Sequence, residues 1–135
     1  TVDMGKIVGG VDYAEVHASA EITTNSASYI DMVGGTQDMV ITKTLPKCKV
    51  LLLSHNWGWA PAPASDMWVQ FTIDGVAKGY ETGVQQDIKA FFENMWVESV
   101  AAGSHTFKLQ WKTTGGAGTI YSHQRELIIL YWYVT

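Results

Sequence analysis

The last part of the chain is hydrophobic at nearly every position, and residues 125–134 read RELIILYWYV. In a β-strand, successive side chains point to opposite faces of the sheet, so both faces of this strand would be apolar. One face carries Leu127, Ile129, Tyr131 and Tyr133, and the other carries Ile128, Leu130, Trp132 and Val134. A single two-layer domain covers only one face of an antiparallel sheet with its own core. We therefore expect the second face to contact another copy of the chain.

A second segment shows the same two-sided pattern. Residues 49–54 read KVLLLS, which places Val50 and Leu52 on one face of a strand and Leu51 and Leu53 on the other. The shared pattern predicts that both strands belong to one sheet. The candidate residues for the oligomer interface are Val50, Leu51, Leu52, Leu53, Ile128, Leu130, Trp132 and Val134.

The rest of the chain also predicts strands. Short alternating or apolar runs are separated by Gly, Pro, Asn and Ser, and no stretch sustains a helical stripe. The ten candidate strands are residues 15–23, 28–32, 38–45, 49–56, 67–74, 77–82, 88–97, 104–113, 118–122 and 126–134. Residues 85–97 also fit a helical turn or two, and we assign them to a strand. Strands at this spacing predict an all-β, antiparallel, ten-stranded sandwich or jelly roll.

Two local patterns support this architecture. In residues 104–113 the alternation is clearest, because one face is polar and the other carries His105, Phe107, Leu109 and Trp111. The pair Asp74-Gly75 follows an apolar run and predicts a tight hairpin, in which glycine tolerates a positive φ.

The first fifteen residues lack a comparable pattern. Gly5, Gly9 and Gly10 interrupt the apolar residues Ile7, Val8 and Val11. This composition predicts an extended N-terminal arm over residues 1–15 that lies on a neighbouring subunit. The jelly-roll domain would then comprise residues 16–135.

Composition narrows the range of partners. The chain has 135 residues, which is enough for one domain with its own core. The net charge is −4 and no block of one sign occurs, so we expect no nucleic-acid partner and no anionic membrane partner. Charged residues make up 16% and aromatic residues 12% of the chain, a balance typical of proteins that bury much of their surface in contacts.

The residues with catalytic or metal-binding chemistry do not form a recognisable motif. His17, His55, His105 and His123 are never spaced at i+2 or i+4, as metal-binding histidines often are. Cys48 adjoins an apolar run and is expected to be a buried, inert thiol. We therefore expect no enzymatic activity, no cofactor and no metal.

Single residues still have expected roles. His105 begins a strand after a Gly-Ser turn, where a ring nitrogen could bond a turn carbonyl, so a structural role is favoured. Calcium would require several oxygen atoms from different loops, and only Asp66 or Asp74 is a possible contributor.

The most suggestive local feature is residues 55–63, which read HNWGWAPAP and are interpreted as a loop. His55, Asn56, Trp57 and Trp59 are the candidate binding residues, because exposed tryptophan stacks on sugars or anchors proteins. The alternative is that the two tryptophans pack into a subunit contact or cap the sandwich.

Several segments resemble a known family. The succession KVLLLSH, VQFTIDG, VESVAAGSHTFKLQWKT and RELIILYW is similar to the jelly roll of tumour necrosis factor and of complement and collagen globular heads. The segments Tyr29-Ile30-Asp31-Met32 and 102–111 further resemble modules of this type in phage virion proteins and prokaryotic surface proteins. The resemblance covers roughly residues 16–134.

This resemblance implies a two-sheet, ten-stranded sandwich that assembles as a homotrimer, with the last strand near the threefold axis. It also implies a structural or attachment component of a virion surface, such as a capsid decoration, turret or tail-fibre head. The expected partners are other virion or surface-structure proteins. The expected location is the virion surface or the extracellular space. The alternatives are a glycan-binding, lectin-like head that uses Trp57 and Trp59, and an extracellular fibre subunit joined through the N-terminal arm.

Overall fold

The computed structural model describes residues 7–114 and 118–134, and these residues form ten β-strands and no helix. All the strand pairings are antiparallel. The strands are β1 (Ile7–Ala18), β2 (Ile22–Thr24), β3 (Ile30–Asp31), β4 (Val40–Leu45), β5 (Cys48–Trp59), β6 (Met67–Ile73), β7 (Val76–Val84), β8 (Lys89–Val100), β9 (Gly103–Thr113) and β10 (Ile120–Val134).

The strands form two sheets of five. Sheet A has the order β1, β10, β5 and β8, and β2 also pairs with β10. Sheet B has the order β3, β9, β6 and β7, and β4 also pairs with β9. The last strand therefore lies inside sheet A next to β5, so the prediction that the two doubly apolar strands share a sheet is confirmed.

The core lies between the two sheets. In β5, β8 and β9 alternate residues point inward, because successive side chains of a strand face opposite sides of the sheet. The largest fully buried apolar side chains are Met32, Met39, Leu52, Met67, Phe71, Phe107, Leu109, Trp111, Ile120, Leu127 and Ile129. Each buried side chain of this size contributes about 1.5–3 kcal/mol of hydrophobic stabilisation.

Most predicted strands are confirmed, with shifted ends. Residues 89–97 of the segment 85–97 are strand and belong to β8, whose residues alternate between the outer face and the core, whereas residues 85–88 precede the strand and include a turn. The predicted strands 118–122 and 126–134 are one strand, β10, with an irregular register between Ser122 and Arg125. The predicted strand 15–23 is divided between the end of β1 and β2.

The N-terminal segment differs from the expected arm. Residues 7–15 belong to β1, which pairs with β10 of the same chain. The physical reason is that β10 needs a second partner for its backbone hydrogen-bonding groups, and β1 supplies it. Gly10 adopts a φ of 74° where the register shifts between Val8 and Val11. The part of the arm prediction that concerns residues 1–6 lies outside the described residues.

The hairpin predicted at Asp74-Gly75 is confirmed, and it holds His105. Both turn residues have positive φ, 51° and 82°. The Asp74 carboxylate accepts the Thr106 amide at 2.8 Å and contacts His105 Nδ1 at 2.7 Å. His105 Nε2 lies 2.7 Å from the Ala101 carbonyl, as its expected structural role requires. The Asp74 carboxylate raises the pKa of His105, assisted by Ala101, and His105 lowers the pKa of Asp74.

Two further buried residues, Cys48 on β5 and Arg125 on β10, belong to sheet A. Cys48 is a buried free thiol, and burial raises its pKa. Arg125 is fully buried at the β10 irregularity and donates to the carbonyls of Ala20, His123 and Gly34 at 2.7, 2.7 and 3.0 Å. Burial lowers the pKa of Arg125 from its ordinary value. The guanidinium therefore ties the β1–β2 and β3–β4 connections to β10.

Candidate functional site

The outer face of sheet A carries a continuous apolar surface. The register places Tyr13, Leu130, Leu51 and Val97 in one row across four strands. Neighbouring rows add further apolar side chains on both sides. We call this surface the apolar patch, and it comprises Val11, Tyr13, Leu51, Leu53, Met95, Val97, Ile128, Leu130 and Trp132.

Exposure within the apolar patch rises toward its edges. Tyr13 on β1 is 61% exposed and Met95 on β8 is 63% exposed, whereas the patch residues of β5 and β10 are half-buried. Large apolar side chains that are exposed together mark an interaction surface in soluble proteins. The patch is therefore the strongest candidate for a contact with another macromolecule.

The predicted interface residues divide between two environments. Leu51, Leu53, Ile128, Leu130 and Trp132 lie on the outer face, as an interface requires. Val50 and Leu52 are fully buried in the core, because they are the inward residues of β5. Their assignment to an intersubunit surface is therefore wrong. The side chain of Val134 lies outside the described residues.

The tryptophans predicted to lie in a loop are part of β5 instead. The strand continues through the HNWGW segment to Trp59, so its alternation places His55, Trp57 and Trp59 on the outer face. Asn56, the fourth candidate, is fully buried and donates to Ser54 Oγ at 3.3 Å. Because Asn56 points into the core, it cannot join a surface site with the tryptophans.

Each of these three outward rings packs against a ring on a neighbouring strand. His55 stacks on Phe91 at 4.8 Å between centroids, Trp57 packs on His123 at 4.3 Å, and Trp59 packs on Tyr121 at 5.2 Å. We call these six residues the aromatic ladder. Successive rungs are about 6.7 Å apart along the strand.

Charged groups border the aromatic ladder. The Lys89 ammonium lies over the Trp59 ring, 4.2 Å from its centroid. The Glu21 carboxylate lies 2.6 Å from His123 Nε2. The ladder thus combines half-buried aromatic rings with hydrogen-bonding groups.

A row of four titratable residues separates the apolar patch from the remaining rungs of the ladder. The register aligns His17, Glu126, His55 and Glu93 across β1, β10, β5 and β8. His55 Nδ1 lies 3.2 Å from Glu93 Oε1. We call this arrangement the His–Glu row. Sequence analysis did not identify it, because the four residues are distant in the chain and only the strand register aligns them.

The outer face of sheet B has a different chemistry. Gln70 donates to Gln110 at 3.0 Å, and Gln110 donates to Asp31 at 2.9 Å. Lys108 Nζ lies 2.6 Å from the other Asp31 oxygen. The Gln110 and Lys108 contacts lower the pKa of Asp31. These contacts all occur within one chain.

The described residues include no group of three or more His, Cys, Asp or Glu positioned to hold a metal ion. The carboxylates considered for calcium are hydrogen-bonded within the chain, Asp66 to the Gln86 amide and Asp74 to Thr106 and His105. Within the same residues, no helix has the length and hydrophobicity of a membrane span.

Comparison with known proteins supports the fold. No family model and no curated protein matches the sequence. Among solved structures, the chain is similar to VP2 in a subviral particle of infectious bursal disease virus. That match has 11% identity and a TM-score of 0.51, and it covers 94% of this chain and 38% of VP2.

Two other solved structures are more distant in shape. A protein of the disulfide-linked pili of Bacillus endospore appendages matches at 9% identity and a TM-score of 0.45, over 94% of this chain and 93% of that one. The xylan-binding domain CBM22-1 of Paenibacillus barcinonensis Xyn10C matches at 14% identity and a TM-score of 0.43, over 96% and 85%. At these identities the comparisons bear on the fold alone, a jelly-roll-like β-sandwich.

Proposed function

We propose that this chain is a non-catalytic structural or attachment module that assembles as a homotrimer through the apolar patch. The observation that carries the proposal is the patch itself. Its nine apolar side chains extend across all four long strands of sheet A, while the core of the same chain already occupies the other side of that sheet. A second copy of the chain is an occupant with matching apolar surface.

The proposed ring would use both edges of the patch. The most exposed apolar residues lie on β1 and β8, at opposite edges of the patch. In a head-to-tail contact, the β8 edge of one copy would pack against β1 and β10 of the next, and such contacts form a ring when the rotation between copies closes. The number three rests on the resemblance to the tumour necrosis factor and complement-head jelly rolls.

The test is the molar mass in solution. Sedimentation equilibrium of the wild type at micromolar concentration should give three times the mass of one chain. Leu130→Asp should give a monomer or an aggregate, because a carboxylate buried without a partner would destabilise the trimer contact by about 3–5 kcal/mol. Thr44→Asp is the matched control, because Thr44 is exposed on the outer side of sheet B. A well-behaved wild-type monomer would refute the proposal.

The proposed location is the surface of a virion, as a capsid decoration, turret or tail-fibre head. It rests on the resemblance to phage virion modules, and the fold similarity to VP2 is consistent with it. Electron microscopy of the native particle, with antibody labelling of this chain, tests it. Regularly repeated label on a capsid or tail supports the proposal, and label confined to soluble material contradicts it.

The aromatic ladder favours a second candidate function, glycan binding. Aromatic faces stack on sugar rings, and the bordering Lys89, Glu21 and Glu93 could bond hydroxyl groups. Glycan-array binding that disappears in Trp57→Ala combined with Trp59→Ala would support this function. Tyr80→Ala is the matched control, because Tyr80 is a highly exposed aromatic residue on β7, away from the ladder. Absence of wild-type binding to any glycan would eliminate this candidate.

A further inference from the structure

The His–Glu row crosses the face that the proposed trimer would cover. Its members alternate as His17, Glu126, His55 and Glu93, one from each of the four long strands of sheet A. All four side chains point outward and are exposed or half-exposed. They adjoin the apolar patch directly, because Glu126 and His55 are each two residues from the patch residues Ile128 and Leu53 on the same strands.

Two shallow depressions meet at the centre of the row. One has a volume of about 590 Å³ and is lined by Leu53, His55, Glu93, Met95, Glu126 and Ile128, among others. The other has a volume of about 460 Å³ and includes His17, His55, Arg125 and Glu126. His55 and Glu126 line both depressions, so a subunit packed on this face would enclose them together.

The charged neighbours of the two histidines are mainly acidic. His55 faces Glu93 on β8 and Glu126 on β10, and the nearest group beyond Glu126 is His17 on β1. His17 faces Glu126 across β1 and β10, and Glu15 precedes His17 on the outer side of β1. Arg125, at the second depression, turns inward and is hydrogen-bonded to backbone carbonyls.

The charged groups outside the His–Glu row do not change this excess of acidic neighbours. Toward the aromatic ladder, His123 is paired with Glu21, and Lys89 lies over Trp59. With neutral histidines the row and Glu15 therefore contribute three negative charges per chain. Protonating both histidines cancels two of these charges, since each His⁺ then has a carboxylate beside it.

We propose that the His–Glu row makes trimer assembly through the apolar patch dependent on pH, and that protonation of His17 and His55 favours assembly. This inference rests on the proposed function. Covering the row removes water from its carboxylates, which is unfavourable unless a positive charge is close. Histidine is the side chain that gains this charge between about pH 8 and pH 5. Assembly therefore takes up protons, and mildly acidic solution stabilises the trimer.

The test is sedimentation velocity over a dilution series at about pH 5.5 and about pH 8, at constant ionic strength. We expect the concentration for half-assembly of the wild type to be about tenfold lower at the lower pH. This corresponds to a trimer association constant about a hundredfold larger, because that constant varies as the inverse square of the half-assembly concentration. If the trimer stays intact at every dilution, the rate of subunit exchange is measured instead of the half-assembly concentration. This rate should be slower at the lower pH.

Three variants locate the effect. His17→Gln combined with His55→Gln should assemble with the same half-assembly concentration at both pH values. Glu126→Gln should assemble more tightly than the wild type at the higher pH, because one desolvated charge is removed. His105→Gln is the control, since His105 lies at the Asp74 hairpin of sheet B, and it should keep the full pH dependence.

The outcomes separate this inference from the trimer itself. A wild-type trimer with equal half-assembly concentrations at both pH values, or with tighter assembly at the higher pH, overturns the inference and leaves the trimer intact. A pH dependence that persists in the double histidine variant also overturns it. A wild-type monomer at both pH values refutes the proposed function, and the inference fails with it.

Discussion

The outer faces of the two sheets have the same strand geometry and opposite chemistry. On sheet B, Gln70, Gln110, Asp31 and Lys108 form a connected polar network within one chain. On sheet A, the corresponding positions carry the apolar patch. The difference indicates that the polar network of sheet B forms when one chain has folded, whereas sheet A retains unused apolar surface. Assembly and folding stability should therefore respond to different substitutions, although both depend on the same sandwich.

The largest expected effect is a difference in stability between substitutions on the two sides of β5. Leu52 points into the core and Leu51 points outward, although they are adjacent in the chain. Leu52→Ala should lower the free energy of unfolding by about 2–5 kcal/mol, the usual range for a buried leucine. Leu51→Ala should lower it by less than about 1 kcal/mol, as for surface changes, while weakening assembly. Urea denaturation at a chain concentration well below that of half-assembly measures both values without a contribution from assembly. Equal losses would contradict the separation of core and patch.

A smaller effect concerns the pair of His105 and Asp74. The raised pKa of His105 stabilises the fold below the ordinary histidine pKa, and this contribution is lost as the pH rises through the raised value. The lowered pKa of Asp74 stabilises the fold above the ordinary aspartate pKa, and this contribution is lost as the pH falls through the lowered value. Both contributions are present together between about pH 4 and pH 6.5.

We therefore expect the free energy of unfolding to decrease by about 1 kcal/mol between pH 6 and pH 8, a modest value because Asp74 is half-exposed. Thermal denaturation of the wild type, diluted well below its half-assembly concentration, measures the change. His105→Gln should be less stable at pH 6 and nearly insensitive to pH over this interval. An unchanged pH profile in His105→Gln would show that other groups dominate.

The smallest effect concerns the polar network of sheet B. Asp31→Asn should cost about 0.5–1 kcal/mol at neutral pH, because Lys108 loses its ionic partner at a partly exposed site. The lowered pKa of Asp31 means that this difference should disappear as the pH falls through that pKa. Chemical denaturation at about pH 7 and at a series of pH values below about pH 4 tests the difference. Assembly should be unaffected, and a change in oligomeric mass would show that sheet B also takes part in the interface.

Much of the fold was predictable from the period of two. The alternation over 104–113 identified β9 and its buried Phe107, Leu109 and Trp111 correctly. The same rule could have extended β5 to Trp59, because HNWGW alternates ring and non-ring residues. The two prolines after Trp59 instead favoured a loop. Local composition thus outweighed periodicity at the position where the strand continues.

The candidate site was less predictable, for a different reason. The two-sided pattern of β5 and β10 identified an unused apolar face, but only the pairing register shows which residues share it. Val50 and Leu51 are equally apolar in sequence, and only Val50 lies in the core. Likewise, Tyr121, His123 and Phe91 join the tryptophans through neighbouring strands. Alignment across strands is a long-range property that a single sequence does not display.

The position of β10 also determines the order in which the sandwich can form. Sheet B is built from residues 30–113, so all its strands precede β10 in the chain. Sheet A lacks the strand between β1 and β5 until residues 120–134 are available. During synthesis, β1 must therefore wait for a partner more than one hundred residues away, as the pairing of Ile7 with Val134 shows. Because such distant pairings are entropically costly to close, completion of sheet A is expected to limit the rate of folding.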